Sequence, residues 1–371
     1  MKRLSTVALL LAFLVICTSC ATAPPAPKER YFWPRLPERP RIEWLKAYSS
    51  EEDLDQGASS SLIALVAGRG EILTLERPID IYGVGSRRLY VVDPALEGVV
   101  VFDLERRKVF RLVEPTDTRM KFKVPLCVAT DPDGNVYVGD SGHKKIFVFN
   151  SSHQLVRSIS IEPNMTALGN FYVDSDRKRI IISDPRAHKL CFLGIDGTFD
   201  RCIGSRGDGD GQFNFPGTVR MNAKGEIIVA DVMNARLQIF DSEGKFLRKF
   251  GIRGDNPGEF QVIKGVGVDS EGHIYVSDGK AHTVSIFSDT GDYLLTVGGR
   301  FSVAISGKLG QGGFLVPQGI YFGENDHFYV VDQLNSRFQE FRYLSDEFIR
   351  KNPIPGYVGE GTSSPAGKGG S

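Results

Sequence analysis

The chain has 371 residues, of which 41% are hydrophobic and 24% charged, a composition that excludes a disordered or fibrous protein. Lysine plus arginine and aspartate plus glutamate both total 45, so the charge gives no indication of a nucleic-acid partner or a strongly charged ligand. The 41 glycines and 19 prolines are typical of a turn-rich, all-β chain.

The N-terminus has the layout of a secretory signal. A basic start precedes an apolar run at residues 7–16, which is too short to span a membrane comfortably. The run ends in Ile-Cys-Thr-Ser-Cys at residues 16–20, which resembles the bacterial lipobox, where a thiol at the first mature position receives diacylglycerol. The resemblance implies a lipoprotein signal peptide at residues 1–19 and a lipidated Cys20; a plain secreted protein is the alternative.

The lipobox resemblance also implies a place in the bacterial cell envelope. Ala21 after the cysteine resembles the signal for outer-membrane sorting, which predicts a protein facing the periplasm or the cell surface. Residues 20–40 are proline-rich and predict an extended tether, within which the aromatic residues 31–33 are expected to pack on the folded domain rather than on lipid headgroups. Residues 351–371 are rich in Gly, Ser and Pro and predict a disordered tail.

A phrase of two or three apolar residues followed by aspartate recurs six times, at intervals of 44 to 54 residues. Around it lie short apolar runs and tight turns, as in residues 216–251, a pattern typical of a four-stranded antiparallel meander. Because a lone meander cannot bury both faces, the units must stack, and this period predicts an all-β, six-bladed propeller over residues 41–350. The repeat aspartates are Asp93, Asp140, Asp184, Asp231, Asp278 and Asp332.

Glycine-rich loops that end in phenylalanine link several units, at residues 207–213, 254–260 and 310–314. With these loops the chain resembles the NHL-repeat family, whose pattern runs from a Gly-rich loop, Phe and Pro through Gly-Asn to Asp, Asn-x-Arg and Phe-Asp. The resemblance covers about residues 75–345 and is degenerate in blades 1 and 3, where Leu96 and Ala187 replace the pattern's Asn. It implies a monomeric NHL/TolB-like propeller, an architecture that hosts binders, lyases and hydrolases alike.

Closing such a ring requires that the first and last blades join without an unpaired edge. Residues 41–47 alternate between apolar and polar like a strand, and we expect them to complete blade 6 from the N-terminus. The alternative is the C-terminal segment 348–351, which is shorter and soon meets Pro353.

Several repeat aspartates are followed five residues later by a base, as in Asp231 and Arg236. A pair that recurs in many blades cannot mark one site, so we interpret these aspartates as structural acceptors of backbone N–H bonds. Asp208 and Asp210 suggest calcium, but the distal Glu of an EF-hand loop is missing, which favours an ordinary linking loop. The sequence contains no recognisable catalytic motif, and we predict no cofactor and no catalytic residue.

Three histidines, His143, His188 and His282, lie in the loops just after the repeat aspartates of blades 2, 3 and 5, loops that a propeller gathers on one face. Three imidazoles could hold zinc. The positions of His188 and His282 resemble a metal-ligand position of the peptidyl-amidating lyases, which share this repeat. Those enzymes also carry His after the Pro that starts certain inner strands, where this chain has Leu126, Gly217 and Gln318. The sequence therefore favours ordinary polar turn residues.

Three further cysteines lie in the folded region. Cys127 is predicted to be a small core residue. Cys191 and Cys202 flank a hairpin turn, and a register with Leu193 opposite Thr198 places them diagonally, a spacing longer than a disulfide prefers. An oxidising compartment would favour the bond, so the pairing stays open.

The sequence thus predicts a lipid-anchored binding or scaffolding module whose site lies on the face built by the post-aspartate and linking loops. The partner would be an envelope protein or an extracellular ligand, not nucleic acid, with the insert at residues 300–314 as a lid or contact. The alternative is a metal-dependent lyase or a lactone or ester hydrolase that uses the same face. The residues expected on this face are His143, Arg186, His188, Lys280 and His282.

Overall fold

The computed structural model describes residues 29–54, 72–114, 116–117 and 120–357. Internal contacts divide the chain into Met1–Arg30 and Tyr31–Ser371, and all the strands described below belong to the second unit. The predicted signal peptide and Cys20 lie outside the described residues. Within the described residues, none of the helices has the length and apolar character needed to cross a membrane.

Two strands precede the repeats, β1 (Tyr31–Trp33) and β2 (Ile42–Tyr48). Blade 1 then contains β3 (Asp80–Val84), β4 (Arg88–Asp93), β5 (Gly98–Asp103) and β6 (Lys108–Arg111). Blade 2 contains β7 (Pro125–Thr130), β8 (Val136–Asp140), β9 (Lys145–Phe149) and β10 (Leu155–Ser160). Blade 3 contains β11 (Phe171–Asp174), β12 (Arg179–Asp184), β13 (Lys189–Gly194) and β14 (Phe199–Ile203).

Blade 4 contains β15 (Pro216–Met221), β16 (Ile227–Asp231), β17 (Arg236–Phe240) and β18 (Phe246–Phe250). Blade 5 contains β19 (Ile263–Val268), β20 (Ile274–Asp278), β21 (Thr283–Phe287) and β22 (Tyr293–Gly298). Blade 6 contains β23 (Pro317–Phe322), β24 (His327–Asp332) and β25 (Arg337–Tyr343). In the described part of the chain, short α-helices lie before and after blade 6, α1 (Val303–Ser306) and α2 (Asp346–Lys351).

Each of blades 1 to 5 is a four-stranded antiparallel sheet in chain order. The inner strands β3, β7, β11, β15, β19 and β23 contact their neighbours in a closed ring. The prediction of a six-bladed, all-β propeller is therefore confirmed.

The N-terminal strand closes the ring, as the sequence predicts. The sixth sheet has the order β1-β2-β25-β24-β23, and β2 runs antiparallel to β25 with Trp44 opposite Phe341. Tyr48 donates a hydrogen bond to Glu340 Oε2 at 2.7 Å, and Trp44 Nε1 donates to Gln339 Oε1 at 2.8 Å. The C-terminal segment considered as the alternative is α2 instead of a strand.

Ordered structure extends beyond the predicted limits of residues 41 and 350. Phe32 in β1 is 6% exposed and packs in a cluster with Leu344, Ile349 and Ile354. The described part of the predicted tether, from Tyr31 onward, is thus part of the folded body, and so is the start of the predicted tail. Residues 358–371 lie outside the described residues.

Among the described residues, six apolar clusters lie between neighbouring blades, one for each pair, and the cluster around Phe32 lies apart from them. Successive side chains of a strand point to opposite faces of its sheet, so each blade contributes to two clusters. In β4, for example, Leu89 and Val91 pack toward blade 6, whereas Tyr90 and Val92 pack toward blade 2. This explains why the middle strands are apolar at nearly every position, where a one-sided sheet would alternate.

The six repeat aspartates are all buried. Each accepts a hydrogen bond of 2.6–2.7 Å from a backbone N–H that precedes the inner strand of the same blade, for example from Asn214 to Asp231. The carboxylate thereby ties the incoming linking loop to the end of the second strand. The same bond in every blade accounts for the recurrence of aspartate.

Cys191 and Cys202 form a disulfide and lie directly opposite each other, with their Cα atoms 4.0 Å apart. The register derived from the sequence, with Leu193 opposite Thr198, is wrong. A three-residue turn closes with a bond from Gly194 N to Thr198 O, and a bulge between Phe192 and Leu193 then shifts the pairing. Together these shifts turn the expected diagonal pair into a direct one.

Candidate functional site

The face formed by the post-aspartate loops places His188 and His282 at equivalent positions. Both have left-handed backbone angles, with φ of 56° and 62°, at the fourth residue after the repeat aspartate. Both accept a backbone N–H at Nδ1, His188 from Phe215 at 3.2 Å and His282 from Val316 at 3.0 Å. Each imidazole therefore links its blade to the start of the next blade.

The unusual backbone of Phe215 and Val316 explains these links. Both residues precede the proline of an inner strand and have positive φ, 56° and 61°. In blade 5 the equivalent Val262 N–H donates to the repeat aspartate Asp278 at 3.1 Å. In blades 4 and 6 that N–H donates instead to the histidine of the preceding blade. Burial and the nearby Arg300 guanidinium lower the pKa of His282, which favours the neutral imidazole that this acceptor role requires.

His143 has different contacts from the other two histidines. Its Nδ1 lies 3.2 Å from Asp140 Oδ2, and its ring packs edge-on against Phe147. Among the described residues, no three His, Cys, Asp or Glu side chains are grouped so that they could hold a metal ion. The structure thus does not bring His143, His188 and His282 together as the zinc set considered from the sequence.

Blades 4 and 6 share a polar network that fixes their linking loops. In blade 4, Arg236 Nε pairs with the repeat aspartate Asp231 at 2.8 Å, and its Nη2 donates to the carbonyls of Gly209 and Gln212. Asn234 donates to Asp231 as well, at 2.8 Å. Blade 6 repeats this network with Asn335, Arg337 and Gln339 around Asp332. The loop of Asp208 and Asp210, considered above as a calcium site, is therefore ordered by Arg236.

Exposed apolar side chains lie on these ordered loops. Beside blade 4, Met233 N donates to Asn214 O at 3.0 Å, and Arg253 Nη2 donates to Met233 O at 2.8 Å. Beside blade 6, Val303 at the start of α1 donates its N–H to Asn335 Oδ1 at 2.9 Å. We call the following residues the loop-face apolar set: Phe215, Met233, Ile252, Ile305, Leu309 and Leu334.

The loop-face apolar set is strongly exposed, with Ile252 at 63% and Ile305 at 89% of full exposure. Its members fall into two groups, at blades 4 and 6, on either side of blade 5. Lys280 in the blade 5 loop is exposed between the two groups, and Arg186 is exposed in the blade 3 loop. Of the residues predicted on this face, Arg186 and Lys280 are thus available to a partner, whereas His188 and His282 are engaged with backbone.

A cavity of about 740 Å³ opens at the opposite end of the propeller axis. It is lined by the last residues of inner strands and the turns that follow them, including Thr130 and Asp174. The repeat aspartates pair with the first residues of those strands, as Asp231 does with Pro216, so the cavity and the loop face lie at opposite ends. An inner chamber of about 150 Å³ continues from this cavity toward the axis. We call the two together the axial cavity.

Four equivalent positions on the inner strands form the wall and floor of the inner chamber: Tyr82, Tyr172, Arg220 and Tyr321. Arg220 is buried, with 6% exposure, and crosses from blade 4 to blades 1 and 3. Its Nη1 donates to Asn170 Oδ1 at 2.9 Å, and its Nη2 lies 3.7 Å from Asp80 Oδ1. Burial raises the pKa of Asp80 to about 6, against the opposing effect of Arg220.

The axial cavity was not predicted from the sequence, because the candidate residues were all in loops whereas Tyr82, Tyr172, Arg220 and Tyr321 lie on inner strands. A signal was present, since Arg220 is the one arginine within the apolar run of β15 and Asp80 lies in the equivalent run of β3. Alternate residues of an inner strand face the axis, so charges at these positions indicate a polar axial lining. Asn170 could not be found in this way because it precedes β11.

Comparisons of sequence agree with this architecture. A family described as NHL repeat matches residues 122–149, and a family described as 6-bladed beta-propeller matches residues 213–343. With the six blades of the structure, these matches define the class, a six-bladed β-propeller. Within this propeller, the sequence of blade 2 matches the NHL repeat. No curated protein matches its sequence.

Solved structures of similar fold have little sequence in common with the chain. A virginiamycin B lyase from Staphylococcus aureus is 11% identical with a TM-score of 0.52, over 72% of this chain and 94% of the lyase. A structure described as an auxiliary nutrient binding protein from Bacteroides thetaiotaomicron is 11% identical with a TM-score of 0.56, over 72% and 69%. A nidogen/laminin complex gives 13% identity and a TM-score of 0.50, over 60% and 81%. At these identities the similarity is one of fold.

Proposed function

We propose that this propeller is a binding scaffold of the bacterial cell envelope, which holds a protein partner on its loop face. The observation that carries this proposal is the loop-face apolar set, six large side chains exposed on one face of the propeller, where the linking loops before blades 4 and 6 are ordered by the buried Arg236 and Arg337. Groups of exposed apolar side chains mark contact surfaces, whereas single exposed apolar residues are normal on any protein. Rigid loops also reduce the entropy that is lost when a partner binds.

The composition of the loop face supports a protein partner in particular. Arg186 and Met233 are exposed on this face, and arginine and methionine are enriched in protein interfaces. The solved structures of similar fold include a lyase, a nutrient-binding protein and a protein complex, so the proposal depends on this surface and not on the fold.

The place in the envelope depends on the signal and the lipobox-like sequence that ends at Cys20. The anchor would hold the propeller at a membrane through lipid alone, with the tether between the two. Incorporation of a labelled fatty acid into the full chain, and its loss in Cys20→Ala, tests the anchor separately from the partner.

The contacts of His188 and His282 give no support to the metal-dependent lyase or hydrolase. In both imidazoles the Nδ1 atom accepts a backbone N–H, which leaves one nitrogen each. Substituting these histidines is expected to loosen the junctions between blades.

Capture of partners from the native envelope tests the proposed function. We expect the full chain, cross-linked in place, to enrich one or a few envelope proteins over an unrelated lipoprotein. The double variant Met233→Glu with Leu334→Glu should lose this enrichment at least tenfold, because a charge at each group would be desolvated in the contact. The matched control is Leu247→Glu, on an outer strand and similarly exposed. Equal capture by the wild type and the loop-face double variant would contradict the proposal.

A further inference from the structure

The floor of the axial cavity contains an unused hydrogen-bond donor. Arg220 Nη1 donates to Asn170 Oδ1 and Val219 O, both at 2.9 Å. Nη2 is fully buried and has no hydrogen-bond partner among the described residues. An unsatisfied buried donor costs about 1–3 kcal/mol, and more when it is charged. Its nearest charged neighbour, Asp80 Oδ1, is 3.7 Å away and pairs with it by charge without a hydrogen bond, while the Arg220 side chain lines the inner chamber.

The walls of the chamber contain two further groups without a protein partner. The hydroxyls of Tyr82 and Tyr172 have no hydrogen bond to another described residue, and both side chains line the cavity, whereas Tyr321 donates to Gly85 O at 2.9 Å. Burial raises the pKa of Tyr82 and of Tyr172, so both hydroxyls stay protonated and can donate as well as accept. The Arg220 guanidinium lies 5.6 Å from the centre of the Tyr82 ring, within the range of a cation–π contact.

The charges around the cavity nearly cancel. At the floor, the carboxyl group of Asp80 lies beside the single positive charge of Arg220. At the rim, Asp174 pairs with Arg179 at 2.9 Å and with Arg177 at 3.4 Å, and Lys224 pairs with Asp289 at 2.6 Å. Asp131 and Asp176 add two carboxylates to the lining. A carboxylate or phosphate ligand would therefore meet Asp80 without an excess of cations to compensate for it.

A purely apolar ligand would fit no better, because it would separate the hydroxyls of Tyr82 and Tyr172 from water without giving them a hydrogen-bond partner. The site requires a neutral ligand with several groups that both donate and accept, on a compact body whose C–H faces can pack on tyrosine rings. A sugar ring has these properties. The cavity volume of about 740 Å³ lies within the range of about 300–1,000 Å³ that is usual for small-molecule sites.

We propose that the axial cavity binds a neutral carbohydrate of one to a few sugar units, with one hydroxyl group accepting from Arg220 Nη2 and others bonded to Tyr82 and Tyr172. This inference goes beyond the proposed function, because the axial cavity lies at the opposite end of the propeller from the loop face. Either site can therefore be tested, and can fail, without the other.

Titration of the full chain with matched sugars tests the inference. The probes are glucose, galactose and N-acetylglucosamine with their disaccharides, the acids glucuronate and galacturonate, and inorganic phosphate. Binding of each probe is measured by saturation-transfer NMR and calorimetry. We expect at least one neutral sugar to bind saturably and more tightly than its acid counterpart. The inference is overturned if none of the neutral sugars binds, or if a uronate or phosphate binds more tightly.

Variants locate the binding. Tyr82→Phe and Tyr172→Phe remove hydroxyls that no protein group uses, so they should leave the fold intact and weaken sugar binding about fivefold or more each. Arg220→Met should abolish binding, although it also removes the bond to Asn170, so the tyrosine variants decide the outcome. Phe215→Ala on the loop face is the matched control and should bind like the wild type. Unchanged affinity in both tyrosine variants would place the sugar elsewhere and overturn the inference.

Discussion

The charged pair on the propeller axis has an uncommon environment for two ionisable groups. Asp80 and Arg220 come from opposite blades, both are buried, and their nearest atoms are 3.7 Å apart, too far for a hydrogen bond. Asp80 is held mainly by backbone, as in the bond of 3.1 Å from Val128 N to its Oδ2. The pair thus links distant blades. Burial nevertheless raises the pKa of Asp80 by more than the Arg220 charge lowers it.

Titration of Asp80 predicts how stability depends on pH. Its folded pKa of about 6 lies above the unfolded value of about 3.9, so between these values the folded state binds more protons than the unfolded state. Stability should therefore fall as pH rises from 4 to 7, by about 2–3 kcal/mol from this group. In Asp80→Asn that contribution disappears, so the free energy of unfolding of the variant relative to the wild type should increase over the same range. Chemical denaturation at several pH values measures this difference.

The control for that measurement is Asp255→Asn, an exposed aspartate in a linking loop. It should track the wild type across the pH range. The account would be contradicted if the free energy of unfolding of Asp80→Asn minus that of the wild type stayed constant, or if this signed difference fell, between pH 4 and 7.

At the scale of single elements, strand β2 is the closure of the ring. Ile42 is fully buried in the cluster between blades 5 and 6, together with Phe341 and Tyr343 of β25. Without β2, the outer side of β25 would be an unpaired edge. Strand β2 therefore stabilises the whole ring although it comes from the far end of the sequence.

A single truncation in β2 tests this role. Ile42→Ala should lower the free energy of unfolding by about 2–5 kcal/mol, because it removes buried methyl groups and leaves a cavity. Ile252→Ala, at an exposed loop position, should change it by less than about 0.5 kcal/mol. Thermal and denaturant unfolding of both variants provide the comparison. Equal stability of Ile42→Ala and the wild type would show that the ring does not depend on this strand.

Much of this fold could be predicted because the repeat aspartate and the apolar period recur in every blade. The closing strand could be predicted for the same reason, since residues 41–47 alternate like the missing fourth strand. The pairing of Cys191 with Cys202 could not, because a bulge of one residue changes the register and leaves little trace in the sequence. The roles of His188 and His282 depend on positive φ angles in the next blade, which Phe215 and Val316 do not signal.

At the scale of the whole molecule, the propeller presents two ends with different chemistry. The loop face carries the loop-face apolar set with Arg186 and Lys280 beside it. The opposite end carries the axial cavity, whose floor at Arg220 is polar and nearly neutral. Six inter-blade clusters hold these ends in a fixed relation, so a partner on one face and a small ligand on the other could be held at the same time.

Site-specific photo-cross-linking in the native envelope tests the central claim, that the loop face contacts a protein partner. A photoreactive residue at Met233 or at Leu334 of the full chain should each yield the same discrete cross-linked protein. Val156 and Leu247 are similarly exposed on outer strands, and the same residue placed there should yield none of that product. Absence of a product from both loop-face positions, or the same product from all four, would contradict the account.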